Sequence, residues 1–267
     1  MLDIFIKAEQ YDQRLALRDQ DRSYTYKDLV KASTNIASAL LSEKLDLKEE
    51  RIGFLISPSF NYVSILWGIW KAGGICVPLS LSATESELTH YLEDAKISLL
   101  ISDNEGCKKL KKLSDDLNIP LEDEKNLQGD EDKALPEIKK ERKAMILFTS
   151  GTTSKPKGVV STHSNIEAQI SSLVDAWEWH KDDFIPLILP LHHIHGIINA
   201  LSCPLWIGAS VDILGAFEVE KVVEAVCKNN YSVFTAVPTI YFSLIDKIEH
   251  MAGKELELIQ TKFKEMR

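Results

Sequence analysis

Between Arg51 and Ile101 three short apolar runs alternate with two longer periodic ones. Arg51-Ile-Gly-Phe-Leu-Ile56, Ile75-Cys-Val-Pro-Leu79 and Ile97 to Ile101 have the length and composition of buried strands. Phe60 to Lys71 reads as a helix stopped by Gly73-Gly74, and Thr84 caps a second helix to about Ala95. This rhythm predicts an α/β fold whose sheet is mostly parallel and flanked by helices. Ahead of it, Thr25-Tyr-Lys-Asp28 forms a capping box with Asp in place of Glu, opening a periodic helix through Leu29, Ile36, Ala37, Leu40 and Leu41.

The same rhythm resumes later in the chain. Strands are expected at Ala144–Phe148, Phe184–Leu189, Val211–Leu214 and Val233–Val237. Helices are expected from Ser161 or Thr162 to about Trp179, across Gly196–Trp206, over Glu218–Lys228, and from Pro238, where proline suits a first turn. Between the two α/β stretches lies the charged run LEDEKNLQGDEDKALPEIKKERK, which reads as a solvated connection, partly helical near its end. The expected organisation is therefore a first α/β part over 1–117, a charged connection over 118–143, and a second α/β part over 144–267.

Composition narrows the function classes. The 267 residues carry 31 basic against 40 acidic side chains, a net charge of −9. That argues against nucleic acid or an anionic membrane as the main partner, while leaving room for a local anion site. Cys76, Cys107, Cys203 and Cys227 show no zinc-ligand or redox spacing and predict reduced thiols in the cytoplasm. Asp3, Glu9 and Asp12 fit neither a secretory signal nor a transit peptide. Phe184 to Val211 lacks formal charge and is long enough to raise the question of a membrane span. Pro186, Pro190, Pro204, His192, His193, His195 and Asn199 instead favour a buried strand, turn and helix.

Thr149-Ser-Gly-Thr-Thr-Ser-Lys-Pro-Lys-Gly158 is the strongest local signal. A strand delivers the chain into a stretch of hydroxyls, glycines and two lysines, and a helix follows. Hydroxyl and backbone N–H groups donate to phosphate oxygens, glycine allows close backbone approach, and Lys157 supplies a mobile positive charge. On composition alone a Ser/Thr-rich surface turn fits as well. It is not a P-loop of the Walker type, because Pro156 stands where the second glycine is required.

The segment TSGTTSKPKGVV resembles the phosphate-binding signature of the adenylate-forming enzymes, which include the acyl-CoA synthetases, luciferases and peptide-synthetase adenylation domains. It agrees with TSG-[ST]-T-G-x-P-K-G at Thr149, Ser150, Gly151, Thr152, Thr153, Pro156, Lys157 and Gly158, and departs at Ser154, where the family has Gly. Leu189-Pro-Leu-His-His-Ile-His-Gly196 is similar to the family's LP-x-[FH]-H-x-x-G, and Ala236-Val-Pro-Thr-Ile-Tyr241 to its VPT-x-[YF]. Read without that resemblance, His192, His193 and His195 are core or turn histidines, or a metal trio. The opening helix and PSFNYVSILWGIWKAGGICVPL also resemble the family, so the likeness runs along nearly the whole chain. PLHHIHGIINALSCPLWIGAS with AVPTIY is similar to the malonyl-CoA synthetase branch.

The resemblance implies the N-terminal large-domain portion of the adenylate-forming fold, with 1–267 as a partial AMP-binding domain. It implies that a carboxylic acid attacks the α-phosphate of ATP, and that the thiol of CoA then displaces AMP from the acyl-AMP. Lys157 and His193 would be the catalytic residues, and Thr149 through Gly158, Ser154 and Lys155 included, would bind the nucleotide with Mg²⁺ bridging phosphate oxygens. Arg267 is a candidate partner for a second substrate carboxylate, or an ordinary terminal charge. The family's Tyr-Gly-x-Thr-Glu and Thr-Gly-Asp segments, its hinge and its C-terminal domain with a catalytic Lys are not found in this sequence. Two further readings remain open: a non-catalytic nucleotide-binding module, and an adenylating enzyme that charges a carrier-protein thiol.

Overall fold

The computed structural model describes residues 2–149 and 155–267. In chain order the elements are α1 (Asp3–Tyr11), β1 (Leu15–Asp19), β2 (Arg22–Thr25), α2 (Tyr26–Leu41), β3 (Arg51–Leu55), α3 (Phe60–Lys71), β4 (Ile75–Pro78), α4 (Glu85–Asp94), β5 (Leu99–Ser102), α5 (Asn104–Leu117) and β6 (Leu121–Asp123). They continue with β7 (Lys143–Thr149), β8 (Lys157–Thr162), α6 (His163–Ala176), β9 (Phe184–Leu187), a π-helical turn at His195–Ser202 running into α7 (Cys203–Ile207), β10 (Ser210–Ile213), α8 (Val219–Lys228), α9 (Pro238–Glu249) and α10 (Gly253–Lys264).

The strands form two sheets, ordered β2-β1-β10-β9 and β6-β5-β3-β4-β7-β8. Only the two hairpins, β1–β2 and β7–β8, pair antiparallel. The other pairs are parallel, as the strand–helix rhythm requires. Each sheet combines strands from both sides of the charged connection.

Helix α3 has apolar side chains on every face, so it must be buried all round. Trp67 and Trp70 are fully enclosed, and Trp70 Nε1 donates to the Ala144 carbonyl at 2.9 Å. Thr25–Asp28 and Thr84–Glu87 make the expected reciprocal caps on α2 and α4, and Thr162–Asn165 makes a third on α6. No helix among the described residues is long and apolar enough to cross a membrane. The uncharged stretch from Phe184 instead supplies β9, a turn, the π-helical turn with α7, and the start of β10.

Several local expectations need correction. The helix after the hydroxyl-rich stretch does not follow directly, because β8 intervenes and Thr162, not Ser161, is the cap. Residues 233–237 form no ladder. Phe234 N–H bonds the Arg267 carbonyl and Arg267 N–H the Ser232 carbonyl, too few contacts for a strand. The charged connection holds β6 and no helix at its end. Nor is it simply solvated: Leu127 and Ile138 are buried, and Arg142 binds Asp46 at 2.8 and 2.9 Å. The helix at Pro238 is followed by another, α10. α1, β1, β2 and α5 complete the fold without having been read from the sequence.

Candidate active site

Strand β7 runs through the six-stranded sheet as Ala144-Met-Ile-Leu147, four buried residues, then emerges at exposed Thr149. In the returning strand Gly158 faces Phe148 and Lys157 faces Thr149. Of the ten predicted phosphate-loop residues, Ser150, Gly151, Thr152, Thr153 and Ser154 lie outside the described residues. Lys155 and Lys157 are exposed, and Pro156 and Gly158 are half-buried.

One residue that sequence reading missed fixes this hairpin from another part of the chain. His90, half-buried on α4, has its Nε2 2.7 Å from the Pro156 carbonyl oxygen. Since a carbonyl oxygen only accepts, Nε2 carries the proton and donates. Next to His90, Tyr91 stacks on Phe148 at 4.3 Å between centroids. An isolated histidine on an exposed helix gives no sequence signal for a partner 66 positions away.

The second segment leaves the end of β9 and is pinned from behind. The buried Tyr62 hydroxyl donates to the Leu191 carbonyl. A Cβ at position 196 would lie 2.3 Å from the Pro190 carbonyl oxygen, so only glycine lets the turn fold back this closely. This backbone presents His192 half-buried and His193 exposed, their rings 4.1 Å apart. Burial, and then the neighbouring His193, pushes His192 down to about 4, leaving it neutral near pH 7. Burial lowers His195 too, and its Nε2 lies 2.9 Å from the Thr235 hydroxyl. No three His, Cys, Asp or Glu side chains among the described residues converge as a metal site.

These segments meet. A cavity of about 530 Å³ is lined by Thr149 from β7, by Leu189, Pro190 and His192 through Gly196, and by Val237, which precedes α9. It therefore touches all three predicted motifs and lies past the carboxyl ends of β7 and β9, strands of different sheets, where α/β folds place ligands. Lys157 is the cross-strand neighbour of Thr149 but is not a lining residue. A second cavity, about 180 Å³, shares His192, Leu189 and Pro190 and reaches Tyr62 and Phe217. No carboxylate lines the larger cavity among the described residues, so these residues do not themselves compose a magnesium site. A larger groove, about 710 Å³, follows Arg18, Asp212 and α8. Its cations are already paired, Arg18 with Asp212, Lys221 with Glu218 and Lys228 with Glu224.

Arg267 is in neither expected role. It binds the buried Asp183 carboxylate and the Trp177 carbonyl, away from the cavity, so it neither frays nor reaches toward a ligand.

Comparison with known proteins agrees with this geometry. The family described as AMP-binding enzyme matches residues 4–262. A mitochondrial malonate–CoA ligase of Bos taurus is 37% identical over 262 residues, covering 91% of this chain and 44% of that protein. A malonate–CoA ligase of Arabidopsis thaliana is 33% identical over 289 residues, covering 95% of this chain and 47% of that one. The crystal structure of apo MatB from Rhodopseudomonas palustris superposes with a TM-score of 0.84 at 22% identity, over 100% of this chain and 54% of MatB. The chain thus spans about half the length of these relatives, and its fold is the N-terminal portion of the adenylate-forming fold. With family match, fold and converging motifs in agreement, the chain belongs to the AMP-binding enzyme family.

Proposed function

We propose that this chain supplies the nucleotide- and acid-binding half of an ATP-dependent acid–thiol ligase, with malonate as the acid and CoA as the thiol. One observation carries the reading: Thr149, His193 and Val237, each from a different motif, line one cavity. A carboxylate is a poor acyl donor because its leaving group would be oxide. Attack on the α-phosphate of ATP gives acyl-AMP and pyrophosphate, and a thiol then displaces AMP. Charge on the phosphates rises during the first step, so the protein's task is largely electrostatic.

In this reading Lys157 and the hydroxyls of Thr149, Ser150, Thr152 and Thr153 hold the β- and γ-phosphates, and Gly151, Ser154, Lys155, Pro156 and Gly158 complete the loop. His193 shapes the carboxylate's approach. The neutral His192 beside it adds no positive charge to that part of the cavity. Magnesium would come with the nucleotide, since none of the described lining residues offers it a carboxylate. Residues 1–267 act as one partial AMP-binding domain. The free cysteines fit the reducing cytoplasm as its location.

A nucleotide-binding role without turnover is the second reading, favoured by the absence of a carboxylate among the described cavity-lining residues. ATP titration beside ATP–pyrophosphate exchange with malonate separates the two, since binding without exchange selects the second. Lys157→Ala removes a charge-assisted contact and is expected to weaken ATP binding by about 10- to 100-fold. Unchanged ATP affinity in that variant refutes the assignment of Lys157.

A further inference from the structure

We infer that His90 is a positioning residue for the phosphate hairpin: through its hydrogen bond to the Pro156 carbonyl it fixes where the chain re-enters the sheet and where Lys157 is presented. The hairpin has two shoulders. The first, Phe148–Thr149, is fixed by β7, whose preceding residues are buried in the sheet. The second, Pro156–Lys157, belongs to β8, an edge strand hydrogen-bonded to β7 alone, with exposed Val159 and Val160. An edge strand frays from its ends, so the second shoulder needs a further tether. His90 supplies it from α4, in the first part of the chain, at 2.7 Å.

The tether is itself supported. The His90 ring lies edge-on to Phe148, 6.0 Å between centroids, and Tyr91 stacks on the same Phe148 ring. Leu88 and Leu92, on either side of His90 in α4, are buried, so the helix carrying the imidazole is packed firmly. His90 does not line the cavity and touches no proposed ligand atom, which separates positioning from catalysis.

The effect on ATP rests on the function proposed above, whereas the tether does not. The test therefore has two measurements on the 267-residue chain, with His90→Phe, which keeps a ring but loses the donor, and His90→Gln, which keeps an N–H. By hydrogen–deuterium exchange, the amides of Lys155, Lys157 and Gly158 are expected to exchange about three- to tenfold faster in His90→Phe, the range that one hydrogen bond supplies, and near wild type in His90→Gln. By titration, ATP affinity falls about three- to tenfold in His90→Phe and recovers in His90→Gln. Unchanged exchange in His90→Phe overturns the tether whatever ATP does. Faster exchange with wild-type ATP affinity, while Lys157→Ala still weakens binding, overturns the positioning role and leaves the site standing. Faster exchange in a chain that does not bind ATP upholds the tether and refutes the function reading instead.

Discussion

Replacing Tyr62 with Phe tests how the second segment of the site is held. Tyr62 and Leu191 are 3% and 4% exposed, and the hydroxyl donates to the Leu191 carbonyl immediately before His192. The substitution keeps the ring and removes one oxygen, so packing against Phe54 at 5.1 Å is preserved. What remains is a buried carbonyl deprived of its donor, a loss of about 1–3 kcal/mol. Unfolding entropy near 2.1 cal/mol/K per residue gives about 0.6 kcal/mol/K for 267 residues, so Tm should fall by roughly 2–5 °C. Thermal melts followed by circular dichroism, wild type beside variant, read this directly. A shift under about 1 °C would mean that the carbonyl finds another partner at no cost, and that Tyr62 does not hold the histidine turn.

Two further outcomes are expected. His163 is buried against Trp70, and burial, with the Arg142 charge behind it, lowers it to about 4. Because it stays neutral in the fold while an unfolded histidine takes a proton near 6.5, its contribution is complete above pH 6.5. It is lost as pH falls toward 4, by up to about 3 kcal/mol. His163→Leu should flatten the decline of Tm across that window, and parallel wild-type and variant slopes would contradict this. Arg142 binds both Asp46 oxygens and the Gly73 carbonyl at 2.6 Å, so Arg142→Ala should cost about 1–3 kcal/mol, seen as a lower urea midpoint. Arg142→Lys should recover only part, because an ammonium cannot span both oxygens. An unchanged midpoint in the alanine variant would show that the strap ending at Arg142 is held by its apolar residues alone.

The parts of the fold legible in the sequence are those whose signals are local. Thr25 and Thr84 announce their helices because a cap and its partner stand three residues apart, and β3, β4 and β5 are buried on both faces and so read as continuous apolar runs. β8 escaped notice although Val159, Val160 and Thr162 favour strands, because an exposed edge strand shows no buried alternation. α5 was hidden by its lysines and aspartates, with Leu110 and Leu113 alone marking its buried face among the large apolar side chains. Residues 233–237 have strand composition, yet a ladder needs neighbours along its length, and among the described residues Arg267 alone meets that stretch backbone to backbone from another element, at Phe234. At the site, all three motifs were visible as strings, but neither the Tyr62 anchor nor the His90 tether was, since each acts on a residue more than sixty positions away.

The two sides of the cavity are held by different means, and perturbations should separate them. On one side the histidine turn rests on a fully buried hydroxyl and on a backbone contact that admits no Cβ. That geometry is part of the core, so damage there should appear first as lost stability. On the other side the β7–β8 hairpin is exposed at Thr149 and Lys157 and is restrained by edge pairing and one imidazole. Little apolar surface is buried in that restraint, so its loss should hardly move Tm yet release the loop. Tyr62→Phe should thus shift the melt, and His90→Phe should shift exchange and affinity with the melt nearly unchanged. If both variants lowered Tm alike, the hairpin would be as much a part of the core as the histidine turn, and the division between a rigid wall and a tethered hairpin would fail.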